Sequence, residues 1–204
     1  MPRLCLCCKR PIAFASTVMC DVCNAAIQQA SKTYNLSYID QCYAAFYYCD
    51  VSRLAIFRLK YYGKRRLARP IARLMHDEAR ARGLSGDIIV PVPIHKSRMR
   101  QRGFNQARLL ALELANLMAL PCADILKRTK HTEKQAGMSL AQRLSNIEGA
   151  FDIEPCNIQD KHIILVDDIL TTGTTAAQCA KLLLEQGASE VSLIVFLTAD
   201  DNKR

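Results

Sequence analysis

The sequence predicts an α/β fold, in which a parallel sheet is flanked by helices and preceded by a small cysteine-rich module. Largely aliphatic runs at residues 88–90, 163–166 and 191–197 are typical of parallel strands that are buried on both faces. Longer amphipathic stretches separate these runs, and such an alternation indicates helices packed on both sides of a sheet. We assign residues 1–35 to the cysteine-rich module and residues 36–204 to the sheet domain.

Length and composition fit one core with a small appendage, because half of the 204 residues are hydrophobic. No apolar run approaches the roughly eighteen residues that a transmembrane helix needs, so we expect no membrane insertion. The ten cysteines occur without a recognisable export signal. They therefore predict reduced thiols or metal ligands and a cytoplasmic location.

The N-terminal module carries two Cys-x-x-Cys pairs separated by eleven residues, Cys5 with Cys8 and Cys20 with Cys23. Four thiolates complete a tetrahedral site for Zn²⁺ with no open position, so the predicted role is structural. Free cytosolic thiols are the alternative. Cys7 is left over beside the first pair and makes its register ambiguous. Five further cysteines lack ligand spacing and are expected to be small buried hydrophobes: Cys42, Cys49, Cys122, Cys156 and Cys179.

Hydrophobic periodicity, capping residues and prolines predict the remaining elements in chain order. The prolines after residue 90 end a strand because they cannot donate to the sheet ladder. The polar stretch at residues 128–140 predicts a loop that closes over a ligand. We predict strands at residues 43–48, 88–90, 123–127 and 191–197, and helices at 52–62, 67–82 and 106–120, with a basic loop at 95–106.

Positive charge is concentrated in the first half of the sheet domain. Residues 53–108 contain fifteen Lys or Arg and three acidic residues, a net charge of +12, which leaves −3 for the rest of a chain whose total is +9. Such a block favours a polyanionic partner, either a pyrophosphate or a nucleic-acid backbone. A solvated helix face is the simpler explanation for any single arginine.

Residues 163–175 are the most informative segment. A buried strand ends in two carboxylates, Asp167 and Asp168, and a hydroxyl-rich turn leads into a helix. N–H groups at a helix N-terminus bind phosphate, and adjacent carboxylates accept hydrogen bonds from a sugar diol, so the pattern fits a ribose 5-phosphate. The alternative is an ordinary capped helix. Neither a Walker phosphate loop nor a dinucleotide-binding turn occurs in the chain.

This segment is similar to the 5-phosphoribosyl-1-pyrophosphate (PRPP) signature of type I phosphoribosyltransferases, which implies that fold for residues 36–204. The order of motifs along the whole chain resembles the ComF family, proteins associated with late competence in bacteria. The motifs are the Cys-x-x-Cys pairs, residues 59–63, 90–93 and 102–107, then Gln135, Arg143, Asn146, residues 149–151 and the PRPP signature.

The resemblance implies that the chain binds PRPP with Mg²⁺, the ion being held mainly by pyrophosphate and ribose oxygens. By the family motif, Asp167 and Asp168 would hold the ribose hydroxyls. The 5-phosphate would lie on the turn made by Thr171, Thr172, Gly173, Thr174 and Thr175. The pyrophosphate would lie on the turn that contains Pro91, Val92, Pro93 and Lys96.

The family context also implies a role in handling single-stranded DNA during natural transformation. The predicted nucleic-acid contacts are Lys60, Lys64, Arg65, Arg66, Arg98, Arg100 and Arg102. Aromatic residues interleaved with them offer stacking surfaces for bases, although most are expected in the core: Phe57, Tyr61, Tyr62 and Phe104. Two alternatives stay open: an active phosphoribosyltransferase with an unidentified acceptor, and a nucleotide-responsive scaffold for other competence proteins.

Overall fold

A computed structural model of the chain describes residues 4–12, 18–30, 34–61, 65–129 and 149–199. Its strands are β1 (Gln41–Tyr47), β2 (Ile88–Pro91), β3 (Leu126–Arg128), β4 (Phe151–Ile153), β5 (His162–Leu170) and β6 (Glu190–Thr198). Its α-helices are α1 (Asp21–Ala26), α2 (Ser52–Tyr61), α3 (Ala68–Ala81), α4 (Lys96–Arg102), α5 (Gln106–Met118) and α6 (Thr174–Glu185), with a 3₁₀ turn at Arg65–Leu67. None of these helices is both long enough and apolar enough to cross a membrane.

The predicted parallel sheet is confirmed. Its strand order is β1-β6-β5-β2, and all three pairings are parallel. Strand β5 lies between β2 and β6, and its residues 163–166 have no exposed surface. In β2, Ile88 pairs with Ile163 and Pro91 with Val166, so both strands run toward the same edge of the sheet. The loop that follows β2 therefore begins beside the last residues of β5.

Side chains of β5 alternate between two hydrophobic clusters, as the period of a strand requires. Ile164 and Val166 pack with residues of α2, α3 and α5, whereas Ile163 and Leu165 pack with residues of α6 and with the β3–β4 hairpin. Both faces of the sheet are thus covered, which confirms the predicted layers.

The cysteine-rich segment contributes to the first of these clusters. Cys5, Leu6 and Cys23 pack in the same cluster as Ile56 and Leu59 of α2. The Arg58 guanidinium of α2 donates hydrogen bonds to the main-chain oxygens of Cys5, at 3.2 Å, and Leu6, at 2.6 Å. Helix α2 therefore joins this segment to the sheet through apolar packing and a partly buried arginine.

The basic segment predicted as a loop contains helix α4. His95 caps it, because its Nδ1 accepts a hydrogen bond from the Ser97 main-chain N–H, and Gly103 ends it at φ 74°. Because no residue of α4 is buried, its sequence has no apolar stripe from which the helix could be predicted.

Most of the predicted closing loop lies outside the described residues. Among the cysteines expected in the core, Cys42 and Cys179 are buried, and Cys49, Cys122 and Cys156 are only partly buried.

The turn between β5 and α6 depends on Gly173. Its φ of 74° lies in the left-handed region, and a Cβ built there would come within 2.5 Å of the Leu36 Cδ2 atom. A side chain at this position would meet both backbone strain and a packed neighbour.

We expect Gly173→Ala to lower the free energy of unfolding more than Gly83→Ala does, as measured by urea denaturation. Gly83 has a similar φ of 70° but nothing within 4 Å of a built Cβ, so it isolates the backbone cost of about 1–2 kcal/mol. Contact with Leu36 adds about 1–3 kcal/mol of overpacking at position 173. Equal losses in the two variants would show that Leu36 moves aside at no cost.

Candidate functional site

A cavity of about 300 Å³ lies at the carboxyl ends of β2 and β5. Such a position is the usual ligand crevice of an open α/β sheet. Each element around the cavity contributes a different chemical group. Its lining includes Lys60 of α2, Val92 and Pro93 after β2, Arg98 and Arg102 of α4, Arg128 of β3, and Asp167, Asp168, Thr171 and Thr175 of the β5–α6 segment.

The two carboxylates of β5 are held differently. Both oxygens of Asp168 lie 2.9 Å from the Lys60 ammonium, in a buried ion pair. Asp167 accepts a 2.7 Å hydrogen bond from the Asp168 main-chain N–H. Burial and the neighbouring Asp168 charge raise the pKa of Asp167 well above its ordinary value, against the opposing effect of Lys60 and Arg128. A ligand group that donates a hydrogen bond to Asp167 would stabilise its charged form.

Arginines also line the cavity. The Arg128 guanidinium stacks 5.3 Å from the centre of the Phe151 ring, and burial together with the nearby Arg98 charge lowers its pKa. Arg102 donates a 2.8 Å hydrogen bond to the Gln106 side-chain oxygen. Arginines held in this way present planar donors that match phosphate oxygens.

The hydroxyl-rich turn encloses a second, smaller cavity of about 50 Å³. Its lining includes the loop from Thr171 to Thr175, and the hydroxyl oxygens of Thr172 and Thr174 lie 2.9 Å apart. Helix α6 begins at Thr174, so its first main-chain N–H groups face this turn. Donors of this kind converge on an anion.

The structure brings together most residues that the sequence predicted for the phosphate and sugar groups. Asp167, Asp168, Thr171, Thr175, Val92 and Pro93 line the main cavity, and Thr172, Gly173 and Thr174 line the smaller one beside it. Pro91 and Lys96 are not among the lining residues, and Lys96 is exposed at the start of α4.

The residues predicted to contact nucleic acid separate into two groups. Arg65, Arg66, Arg98 and Arg100 are exposed. Lys60 and Arg102 are partly buried and line the cavity, as the exposed Arg98 also does. The Lys60 side chain is only 17% exposed, and its charge is paired with Asp168. Lys64 and Tyr62 lie outside the described residues. Of the aromatic residues, Phe104 is buried, whereas Phe57 and Tyr61 are about half exposed.

Sequence reasoning assigned no role to Asn105, which fixes the loop after β2. Its side-chain oxygen accepts a 3.0 Å hydrogen bond from the Ala107 N–H and caps α5, while its Nδ2 donates at 3.0 Å to the Val92 oxygen. The signal for the cap was available, since an asparagine preceding an amphipathic run is a preferred N-cap. The bond to Val92 depends on the tertiary fold.

The four predicted metal ligands meet in one place. The Sγ atoms of Cys5, Cys8, Cys20 and Cys23 lie within 4.8 Å of one another, and this is the one such group of three or more ligands among the described residues. Although burial opposes it, hydrogen bonds from main-chain N–H groups, including that of Cys20 at 3.4 Å, lower the pKa of Cys5. Cys7 is outside the group, and burial raises its pKa to about 12. The four thiols could hold a metal ion.

Comparison with known proteins identifies the domain. The family described as "Phosphoribosyl transferase domain" matches residues 65–204. Similarity to solved structures includes a purine phosphoribosyltransferase from Pyrococcus horikoshii, at 15% identity and a TM-score of 0.40, over 62% of this chain and 68% of that one.

Curated relatives extend the match over the cysteine-rich segment. "DNA utilization protein YhgH" of Salmonella typhimurium is 31% identical over 95% of this chain and 96% of its own length. "Competence protein F" of Haemophilus influenzae is 33% identical over 72% of this chain and 68% of its own. "Competence protein ComFC" of Bacillus subtilis is 38% identical over 54% of this chain and 44% of its own. The chain therefore belongs to the ComF family and carries its phosphoribosyltransferase-like domain.

Proposed function

We propose that this protein binds PRPP together with Mg²⁺ in the cavity between the ends of β2 and β5, and handles single-stranded DNA during natural transformation. The observation that carries the ligand assignment is the composition of one cavity. Two carboxylates, a hydroxyl-rich turn and three arginines line it or the smaller cavity beside it. The names of the relatives, which refer to competence and to DNA utilization, support the second half of the proposal.

In this proposal each part of the ligand has a counterpart of matching chemistry. The ribose hydroxyls donate to Asp167 and Asp168, and the 5-phosphate lies on the turn that precedes α6. The pyrophosphate lies between the loop after β2 and the guanidinium groups of Arg98, Arg102 and Arg128. A ribose diol that binds Asp168 competes with Lys60, whose ammonium then becomes available to the negative charge of the pyrophosphate.

The protein groups at this cavity would bind Mg²⁺ only together with the ligand. Two adjacent carboxylates provide hard oxygen donors, fewer than the six that an octahedral ion takes. Phosphate and ribose oxygens and water would supply the others, as is common for magnesium at phosphate sites. The ion would neutralise part of the ligand's charge.

For the cysteine cluster we propose a structural Zn²⁺ ion. Four thiols in mutual contact match the ligand number of a closed tetrahedral site. Arg58 holds the first Cys-x-x-Cys turn, and main-chain hydrogen bonds from Ala30 N–H to Ala45 and from Tyr47 N–H to Gln28 join the end of the segment to β1. A metal would hold the two Cys-x-x-Cys turns together.

For DNA we propose that the exposed arginines around the cavity contact the phosphate backbone. Arg65, Arg66, Arg98 and Arg100 lie in the segment whose net charge is +12. Arg65 also stacks 5.0 Å from the centre of the Phe104 ring, so its guanidinium is held in a defined position. Backbone contacts of this kind give affinity without sequence preference.

The same groups are compatible with an active transferase, because arginines that bind pyrophosphate also stabilise it as a leaving group. Incubation of the protein with Mg²⁺ and PRPP, with and without DNA, distinguishes the two functions. Release of pyrophosphate that depends on Asp167 would favour the enzyme. Recovery of intact PRPP would favour the binding role.

We expect Asp167→Asn and Asp168→Asn each to weaken PRPP binding by about 1.5–3 kcal/mol, because each removes a hydrogen bond to a charged acceptor. Calorimetric titration of PRPP with Mg²⁺, repeated with a bound single-stranded oligomer, gives the affinities and any coupling between the ligands. Asp77→Asn, on the exposed surface of α3, is the matched control and should bind normally. Unchanged affinity in both site variants would contradict the sugar-binding assignment.

Affinity for single-stranded DNA should fall with salt, with a logarithmic slope of about −0.7 for each phosphate contacted. Arg66→Ala should make the slope shallower by about one such step, whereas Lys161→Ala, an exposed residue just before β5 at the opposite edge of the sheet, should not. Fluorescence anisotropy between about 50 and 200 mM salt measures both. An affinity independent of salt would rule out the backbone contacts.

Metal removal should destabilise the protein, because the binding energy of a structural zinc ion contributes to folding. We expect one zinc per chain by elemental analysis, and a lower melting temperature after chelation. Cys8→Ser should reproduce the loss, and Cys156→Ser, which is partly buried and outside the cluster, should not. Purified protein that contains no zinc would refute the assignment.

A further inference from the structure

A third concave site, a cleft of about 460 Å³, lies against α2 and has an apolar and aromatic lining. Tyr48, Leu54, Phe57 and Tyr61 line it, with exposed fractions of 45%, 38%, 48% and 54%. These are four of the nine large hydrophobic side chains that are exposed in the described part of the chain. Exposed apolar residues scattered over a surface need no explanation, but their concentration in one concave place marks a binding site.

Two rings in the cleft form a fixed aromatic surface. Phe57 and Tyr61 are one helical turn apart on α2, and their ring centres lie 4.8 Å apart at an angle of 46°. The Arg102 guanidinium lies 5.2 Å from the centre of the Tyr61 ring and donates to its hydroxyl at 3.3 Å. The cation holds the ring in place while the ring remains half exposed.

The cleft adjoins the phosphoribosyl cavity. Lys60 and Ile169 line both, so a single layer of side chains separates them. Both side chains of this layer are held in place. Lys60 forms an ion pair with Asp168, and Ile169 lies in β5.

The charge around the cleft decides its occupant. Arg53, Lys60 and Arg102 surround the aromatic surface, and the segment to which they belong has a net charge of +12. Two acidic groups pair with these cations: Asp50 with Arg53 at 3.2 Å, and Asp168 with Lys60 at 2.9 Å. An apolar protein partner would gain nothing from this charge. A strand with unpaired bases joins aromatic faces to phosphates and matches both features.

We propose that the cleft on α2 holds an unpaired nucleobase of single-stranded DNA, stacked on the rings of Phe57 and Tyr61. The proposal rests on the proposed DNA-handling function and names the place where the strand meets the protein. A base bound there lies across the Lys60–Ile169 layer from the phosphoribosyl ligand. In a duplex, bases are stacked inside the helix, so the cleft selects unpaired strands.

The test compares two probes of equal length and charge, a thymidine oligomer and an oligomer of abasic sites, by fluorescence anisotropy. We expect the wild-type protein to bind the thymidine oligomer at least about tenfold more tightly, since stacking contributes about 1–3 kcal/mol per base. Phe57→Ala and Tyr61→Ala should remove this preference without changing the salt slope. Tyr61→Phe should retain it because the ring is conserved.

Tyr38→Ala is the control, because Tyr38 is 50% exposed and does not line the cleft. Circular dichroism verifies that each variant is folded. If the wild-type protein binds both oligomers equally and the variants match it, the cleft assignment is wrong while DNA binding stands. If neither oligomer binds, the DNA half of the proposed function fails as well. Variants that change the molecular mass in light scattering but not the preference for bases would identify a contact between copies and overturn the proposal.

Discussion

The parallel pairing of β2 with β5 is the constraint on which the site depends. Because Pro91 pairs with Val166, the residues after β2 lie at the carboxyl edge of the sheet, beside Asp167 and the end of β5. The bond from the Val92 N–H to the Val166 oxygen, at 2.9 Å, continues the pairing to the start of the loop. A shift of register by one residue would exchange the faces of Asp167 and Asp168.

The cavity combines groups that oppose folding with groups that hold them. Two adjacent carboxylates in partly buried positions repel each other, and Lys60 and Arg128 offset only part of that cost. A fold that needed stability alone would place apolar residues there. The charged groups come from four elements, α2, β3, α4 and β5, so no one element carries the whole cost. Such preorganised charge is typical of a site that recognises a charged ligand.

Local sequence patterns predicted the parts of the site that are contiguous in the chain. The aliphatic run, the acidic pair and the threonines of β5 and its turn are recognisable because each residue acts beside its neighbour. The cysteine pairs are recognisable for the same reason. The pair of Lys60 with Asp168 joins residues 108 positions apart, and no local periodicity encodes it. Helix α4 was missed because its residues are polar or exposed throughout, so that only capping by His95 and Gly103 defines it.

Helix α2 connects the cysteine cluster to the cavity through two residues on opposite sides. Arg58 faces the main-chain oxygens of Cys5 and Leu6, and Lys60 faces Asp168. They are two positions apart, which corresponds to about 200° of rotation around the helix. Inserting or deleting a single residue between them would turn one side chain by about 100° relative to the other, and both contacts could not then form. The two-residue spacing of Arg58 and Lys60, around the buried Leu59, is therefore what allows one helix to hold both the cysteine cluster and the cavity.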